Sequence, residues 1–341
     1  MTKEKPKSIN ALMKYLREEK GMDIRGSSQK RKLRIIGYYH GYKGYRYIRR
    51  PSNQMKYSTF DDLLAIYEFD SQIKALLYPS VMLIETALKN YVLDVIVGMT
   101  ASDSFVDIYG KLLDNYKMFS TAEKSYTDDK KREKDESAFK QNLNKRLSLR
   151  ARVYKIQADS YNSGNKIANH YLSNDMSIPI WGIFELFSLG EFGFFVSCLN
   201  KECRREISKN LGIRQADDSN AMIPQRLIYA TKDLRNSIAH NDVVFDARFR
   251  SGKIDNQLRN AISNATGVQN LRFDTITDYI VLIVYQLKLL GVSKTYMKRL
   301  IADYTDSVEK LRHSIPISIF NQIIYTDSRQ KLRCLKGFIA S

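Results

Sequence analysis

The sequence predicts an all-α protein. Apolar residues recur at helical spacing along nearly the whole chain. No segment shows the sustained apolar–polar alternation of a half-buried strand, and neither a G-x-G-x-x-G nor a P-loop is present. The composition is that of a folded chain, 43% hydrophobic and 27% charged, with 16 Gly and only 6 Pro in 341 residues. That length is enough for about two domains.

The elements follow in order. Residues 8–20 read as an amphipathic helix with Leu12, Tyr15 and Leu16 on one side. Ser27 and Ser28 are placed to cap a second helix carrying Leu33 and Ile36. From 37 to 56, Gly37, Gly41, Gly44 and Pro51 rule out a long regular helix, and the tyrosines with Ile48 allow a short hairpin. Thr59-Phe-Asp-Asp62 resembles a capping box, with Asp in place of Glu, at the start of the strongest helix. Pro79 fits best in the first turn of a separate helix running from Ser80 to about Val97.

Residues 121–137 are charged and poor in apolar side chains, so they form either an exposed loop or a helix extension into solvent. A basic helix follows with Lys140, Lys145, Arg146, Arg150, Arg152 and Lys155. The aromatic block Pro179–Gly190 holds the one Trp and reads as a buried helix ended by glycine. Helices are expected over 201–211 and 223–239, then over roughly 253–265, 274–290, 294–313 and 317–337. The most apolar run, Tyr279–Tyr285, reads as a buried helix far short of the ~20 residues that span a bilayer, so no membrane partner is expected.

Charge is distributed unevenly. The chain carries a net +18, and ten of its cations lie between Asp23 and Asp61, where no acid interrupts them. They are Arg25, Lys30, Arg31, Lys32, Arg34, Lys43, Arg46, Arg49, Arg50 and Lys56, interleaved with Tyr38, Tyr39, Tyr42, Tyr45, Tyr47 and Tyr57. Cations neutralise phosphates and tyrosine faces stack on unpaired bases, so this segment is expected to contact RNA. The plainer alternative is a solvated basic face with its tyrosines turned inward. Lys145, Arg146 and Arg150 offer a second candidate surface for phosphates. Three cysteines with no C-x-x-C pair argue for a reducing cytoplasm and against a zinc site. The charged residues 1–7 lead into no long apolar stretch, so no secretory signal is expected. No cofactor and no metal are called for.

Only 4 histidines occur in the chain, and His240 lies five residues after Arg235 in Arg235-Asn236-Ser237-Ile238-Ala239-His240. Arginine grips a phosphate through a forked pair of hydrogen bonds, and imidazole transfers protons near neutral pH. The pair therefore suits chemistry on a phosphodiester. His40, His170 and His313 have no acid or cysteine at ligand spacing and receive no role.

The order of these pieces carries a resemblance. The basic tyrosine segment precedes Tyr67-Glu68-Phe69-Asp70, then Ile84-Glu85-Thr86-Ala87-Leu88-Lys89, the block Pro179–Gly190, and Leu234–Asn241. Over about residues 8–250 the chain resembles the AbiD/AbiF-like abortive-infection family of bacterial phage-defence proteins, within the HEPN group of all-helical RNA-cleaving domains. The resemblance implies a HEPN-like helical bundle over 59–250 with a charged insertion at 121–137. It is preceded by a basic, Tyr-rich RNA-contacting segment over 1–58 and followed by extra C-terminal helices over 251–341. Arg235, Asn236 and His240 match the group's arginine–polar–histidine signature, which implies a metal-independent endoribonuclease and toxin. Some members are similar to toxins held by a structured noncoding RNA, so RNA is the implied partner twice over. Where the family often has a second histidine, this chain has Asn241.

On a straight helix, residues five apart point ~140° away from each other. Arg235 and His240 then share a site only if the helix ends or distorts near Ala239, or if two chains contribute. The resemblance favours two motifs meeting across a two-fold axis, hence a homodimer. Cleavage would use the RNA's own 2′-hydroxyl, with His240 moving the proton, Arg235 stabilising the phosphate charge, and Asn236 orienting either His240 or a phosphate oxygen. Glu85 and Asp70 are acids within apolar helices. They are either structural ion-pair partners or supporting acids, with Glu85 orienting Arg235. The competing reading is a non-catalytic RNA-binding or interaction protein of a defence system.

Overall fold

A computed structural model describes residues 7–341, so the start of the charged N-terminal segment lies outside the described residues. The described residues form fifteen α-helices and no strand. These are α1 (Ile9–Glu18), α2 (Gly26–Ile36), α3 (Phe60–Thr100), α4 (Phe105–Lys111), α5 (Asp129–Asn162), α6 (Lys166–Leu172), α7 (Ile180–Leu186) and α8 (Leu189–Cys198). They continue with α9 (Lys201–Asn210), α10 (Ile223–Ala239), α11 (Asn256–Thr266), α12 (Ile276–Leu289), α13 (Lys294–Ser314), α14 (Ile317–Ile323) and α15 (Ser328–Ala340). None is long and apolar enough to cross a membrane.

The chain divides into two compact units, one of Met1–Met82 with Asp233–Ser341, the other of Leu83–Lys232. The boundaries fall inside α3 and α10. The Tyr-rich segment and the C-terminal helices therefore share a unit, a different cut from the three consecutive segments drawn on the sequence.

In the first unit, α12 is buried all round, from Ile276 through Leu287. Its one acid, Asp278, is paired with Lys331 of α15 at 2.7 Å and accepts the Phe273 amide at 2.7 Å. The hairpin allowed at 37–56 is replaced by a π-helical segment, Gly37–Lys43, and only a single antiparallel bridge, Tyr47 to Gln54. Gly37 sits at φ +72°, which opens the turn. A Cβ on Gly41 would come within 2.6 Å of Ile36, so that wide turn closes only on glycine. The cap of α2 also differs from expectation. Its N-cap is Arg25, whose amide donates to the Gln29 side chain at 2.6 Å, while Ser27 and Ser28 lie inside the helix.

The capping box of α3 forms as read, with Thr59 and Asp62 bonded reciprocally at 2.9 and 3.1 Å. Pro79 does not start a new helix; α3 runs through it for 41 residues. Leu77 and Val81, one on each side of the proline, are fully buried in a stripe that continues through Ile84 and Leu88. Each such side chain contributes about 1.5–3 kcal/mol, which together offsets the ~3 kcal/mol that an interior proline costs.

In the second unit, residues 129–162 form the long basic helix α5, so the charged stretch is part loop and part helix. The aromatic block is two helices and not one. Ser188 and Glu191 make a capping box that starts α8, and Gly190 lies in its first turn. Phe184, Phe187, Phe192 and Phe195 cluster with ring centroids 5.1–6.2 Å apart. Trp181 stays 43% exposed. Cys198 and Cys203 are buried, and burial pushes their thiols up to about 11 and about 12.

Candidate functional site

The Arg-Asn-Ser-Ile-Ala-His motif occupies the last turns of α10, and the helix stops at Ala239. The stop is a Schellman arrangement. Asn241 adopts φ +56°, its amide donates to the Ile238 carbonyl at 3.2 Å, and the Asp242 amide donates to the Ser237 carbonyl at 2.8 Å. Asparagine is the residue after glycine best suited to that left-handed position. His240 is thereby exposed on the turn that leaves the helix, its amide bonded back to the Asn236 carbonyl at 2.9 Å. Arg235 and Asn236 are half-buried, and the Arg235 guanidinium donates to the Asn236 side-chain oxygen at 3.3 Å.

Two residues of α3 hold this helix end. Lys74 donates to the Asn241 side chain at 2.7 Å and to the Asp242 carbonyl at 3.3 Å, placing a cation where the helix dipole is negative. Asp70, fully buried, pairs with Lys74 at 3.0 Å. Its other contacts are the Val244 and Phe245 amides at 2.8 and 2.7 Å and the Tyr45 hydroxyl at 2.7 Å, all donating to the carboxylate. Burial pushes the Asp70 carboxyl up, and Lys74, Tyr45 and the Val244 amide pull it back. Burial likewise pushes the Tyr45 phenol far above its usual range, which keeps it a neutral donor.

Beside the helix end lies a cleft of about 490 Å³, lined by Ser237, Asn241 and Asp242 on one side and by Tyr39, His40, Lys43, Arg46 and Tyr47 on the other. Arg248 also lines it, donating to the Gly44 and Tyr47 carbonyls at 2.8 and 2.6 Å, pairing with Asp246 at 2.7 Å and stacking on Tyr47 at 4.2 Å. Arg248 therefore ties the Tyr-rich segment to the loop after the motif. The Arg46 Nε is buried with no hydrogen-bond partner. Tyr39 is 72% exposed at the rim, and Lys43 lies 5.3 Å from the Tyr38 ring.

The sequence-derived residues separate into distinct groups. Arg31, Lys32, Arg34 and Arg50 are exposed and Lys30 is half-buried; none of the five makes an ion pair among the described residues. Tyr42 and Tyr45 are core residues, so their rings are closed to bases; Tyr42 stacks on Tyr38 at 5.6 Å instead. Arg49 is held by Tyr325. In the other unit, Lys145 donates to the Ser197 carbonyl, and Arg146 donates to the Asp114 and Tyr109 carbonyls at 3.2 and 3.0 Å. Both therefore brace the fold, and Arg150 alone of that trio is exposed. Glu85 pairs with Lys89 at 3.4 Å in that unit. Sequence reasoning missed Lys74, Asp246 and Arg248. The four-residue spacing of Asp70 and Lys74 was the available signal. The tie that Arg248 makes to the Tyr-rich segment gave none, because the carbonyls it binds lie some 200 residues away in sequence.

Fold and site together define an all-helical protein with an exposed imidazole at a helix terminus beside a cationic, aromatic-lined cleft. The chain belongs to the Abi-like protein family, whose model matches residues 31–246, from α2 through the motif to Asp246. That membership supports a role in abortive infection, a bacterial defence against phage. No curated protein and no solved structure matches the chain.

Proposed function

We propose that the protein is a metal-independent endoribonuclease of the HEPN type that acts in phage defence as a homodimer. One observation carries the reading: α10 ends at Ala239 and leaves His240 exposed on the turn that follows, next to Asn241 of a cleft lined by cations and tyrosines. In this mechanism the RNA threads the cleft with its phosphates against Lys43 and Arg46 and a base against Tyr39. The 2′-hydroxyl attacks the adjacent phosphorus, the bond to the 5′-oxygen breaks, and His240 moves the proton. Arg235, steadied by Asn236, stabilises the doubly charged phosphorane. A partner subunit supplies the second motif of a composite site, and a structured noncoding RNA bound over the same cationic surface would restrain it.

A second reading has an observation of its own. The cleft is lined by Ser237, Asn241 and Asp242 and not by Arg235 or His240, which favours an RNA clamp without catalysis. His240→Ala separates the two. In the nuclease it abolishes RNA cleavage and growth arrest and leaves melting temperature and most RNA affinity unchanged. In the clamp it alters affinity alone.

A further inference from the structure

A second cleft, of about 500 Å³, shares Arg248 with the first. No aromatic ring lines it, and four arginines do: Arg49, Arg50, Arg248 and Arg250. Their charges are unequally balanced. Arg248 is paired with Asp246 at 2.7 Å, and Arg250 with Asp274 at 3.4 Å. Arg49 and Arg50 form no ion pair among the described residues, which leaves two uncompensated guanidinium groups in one pocket.

Arg49 is unusual in two further ways. Its backbone is left-handed at φ +58°, a costly conformation for a non-glycine residue, and it is held there by its amide donating to the Asp246 carboxylate at 2.6 Å. Its Nε is buried with no hydrogen-bond partner. A buried donor on a permanent cation, kept in a strained backbone, calls for an acceptor. The loop carrying it is closed on itself, with the Ile48 amide donating to the Asn53 carbonyl at 2.9 Å and the Asn53 amide to the Arg50 carbonyl at 2.8 Å. The pocket is thus preorganised.

We infer that this second cleft binds a phosphate monoester, the terminal phosphate of an RNA strand or of a free nucleotide. The charge balance decides between monoester and diester. Two guanidinium groups without an acidic partner, Arg50 exposed and Arg49 bonded through one nitrogen to the Tyr325 hydroxyl, match the charge of a dianion, and the forked geometry of arginine suits its oxygens. A backbone diester carries a single charge. The absence of aromatic rings leaves the base and sugar outside. This inference does not rest on the nuclease reading, since binding can be present without cleavage.

The test uses one short 2′-O-methyl RNA, which 2′-hydroxyl chemistry cannot cut, made with a 5′-phosphate, a 3′-phosphate or hydroxyls at both ends, alongside adenosine monophosphate. Each is titrated calorimetrically at pH 7.5 and 5.5 into the wild type, Arg50→Ala and Arg49→Gly/Arg50→Ala. Glycine adopts φ +58° freely, so the double variant keeps the loop. The expected result is binding of a phosphate-ended ligand at least about 10-fold tighter than the hydroxyl form. That advantage, taken as the ratio of phosphate-ended to hydroxyl-ended affinity in the same variant, should shrink at pH 5.5, where the monoester is mostly monoanionic, and vanish in the double variant. Binding of adenosine monophosphate with the same arginine dependence assigns the site to free nucleotides; dependence seen only on RNA assigns it to strand ends. Equal affinity for phosphate and hydroxyl ends, with no binding of the mononucleotide, overturns the inference. So does a phosphate advantage that survives in Arg50→Ala and in the double variant.

Discussion

Asp70 shows how one side chain can set the geometry of a site it does not line. Its carboxylate collects the Val244 and Phe245 amides, the Tyr45 hydroxyl and the Lys74 ammonium in a fully buried position. Asp70→Ala leaves those donors buried without their acceptor and should cost about 3–5 kcal/mol in urea unfolding. The chemistry of this residue was visible in the sequence only as an acid among apolar neighbours, with a structural ion pair as one alternative. What it anchors was not visible, because the amides it binds lie more than 170 residues further along. The buried tyrosines teach the same lesson in reverse. Interleaved rings and cations on paper do not say which rings face inward, and Tyr42 and Tyr45 face the core. The cysteines give a second test at this scale. Burial raises the Cys198 and Cys203 thiols to about 11 and about 12, so neither ionises near neutral pH. In the native protein only Cys334, the half-exposed one of three, should react with a thiol reagent at pH 8, and all three should react in denaturant. Because both folded values lie above the free-thiol range, this contribution to stability is intact below that range and is lost as pH climbs toward 11 and 12.

Among the elements, the end of α10 was legible before the structure. Residues five apart do not share a helical face, so uniting Arg235 with His240 takes a helix break near Ala239 or a second chain; the helix ends at Ala239, with the His240 amide still bonded back to Asn236. The cap that makes the break is Asn241. Its left-handed backbone predicts that Asn241→Ala costs about 1–2 kcal/mol, while Asn241→Gly keeps the conformation and loses only the bond to Lys74. Denaturation of both variants checks the order. Pro79 was misread because local rules place a proline at a helix start, whereas the apolar stripe of α3 continues past it on both sides. Pro79→Ala should therefore stabilise the protein, by no more than about 3 kcal/mol, and raise its melting temperature. The aromatic block was misdivided for a related reason: a Ser-x-x-Glu cap inside an apolar run starts a new helix even where hydrophobicity is unbroken.

At the scale of the molecule, the proposed nuclease joins a cationic N-terminal surface to a motif completed by a second chain. Sedimentation should give twice the 39.6 kDa chain mass, and a monomer at working concentration would remove the composite site. RNA affinity should fall steeply with salt. Replacing Lys30, Arg31, Lys32 and Arg34 together should flatten the log–log dependence by about 0.7 for each lost phosphate contact. The most direct measurement is the chemistry of the ends left when purified protein digests mixed RNA in excess chelator. Attack by the 2′-hydroxyl leaves 2′,3′-cyclic phosphates, or their opened form, with 5′-hydroxyls, and His240→Ala should make no cut. Fragments with 5′-phosphates and 3′-hydroxyls, formed only when magnesium is restored, would contradict it.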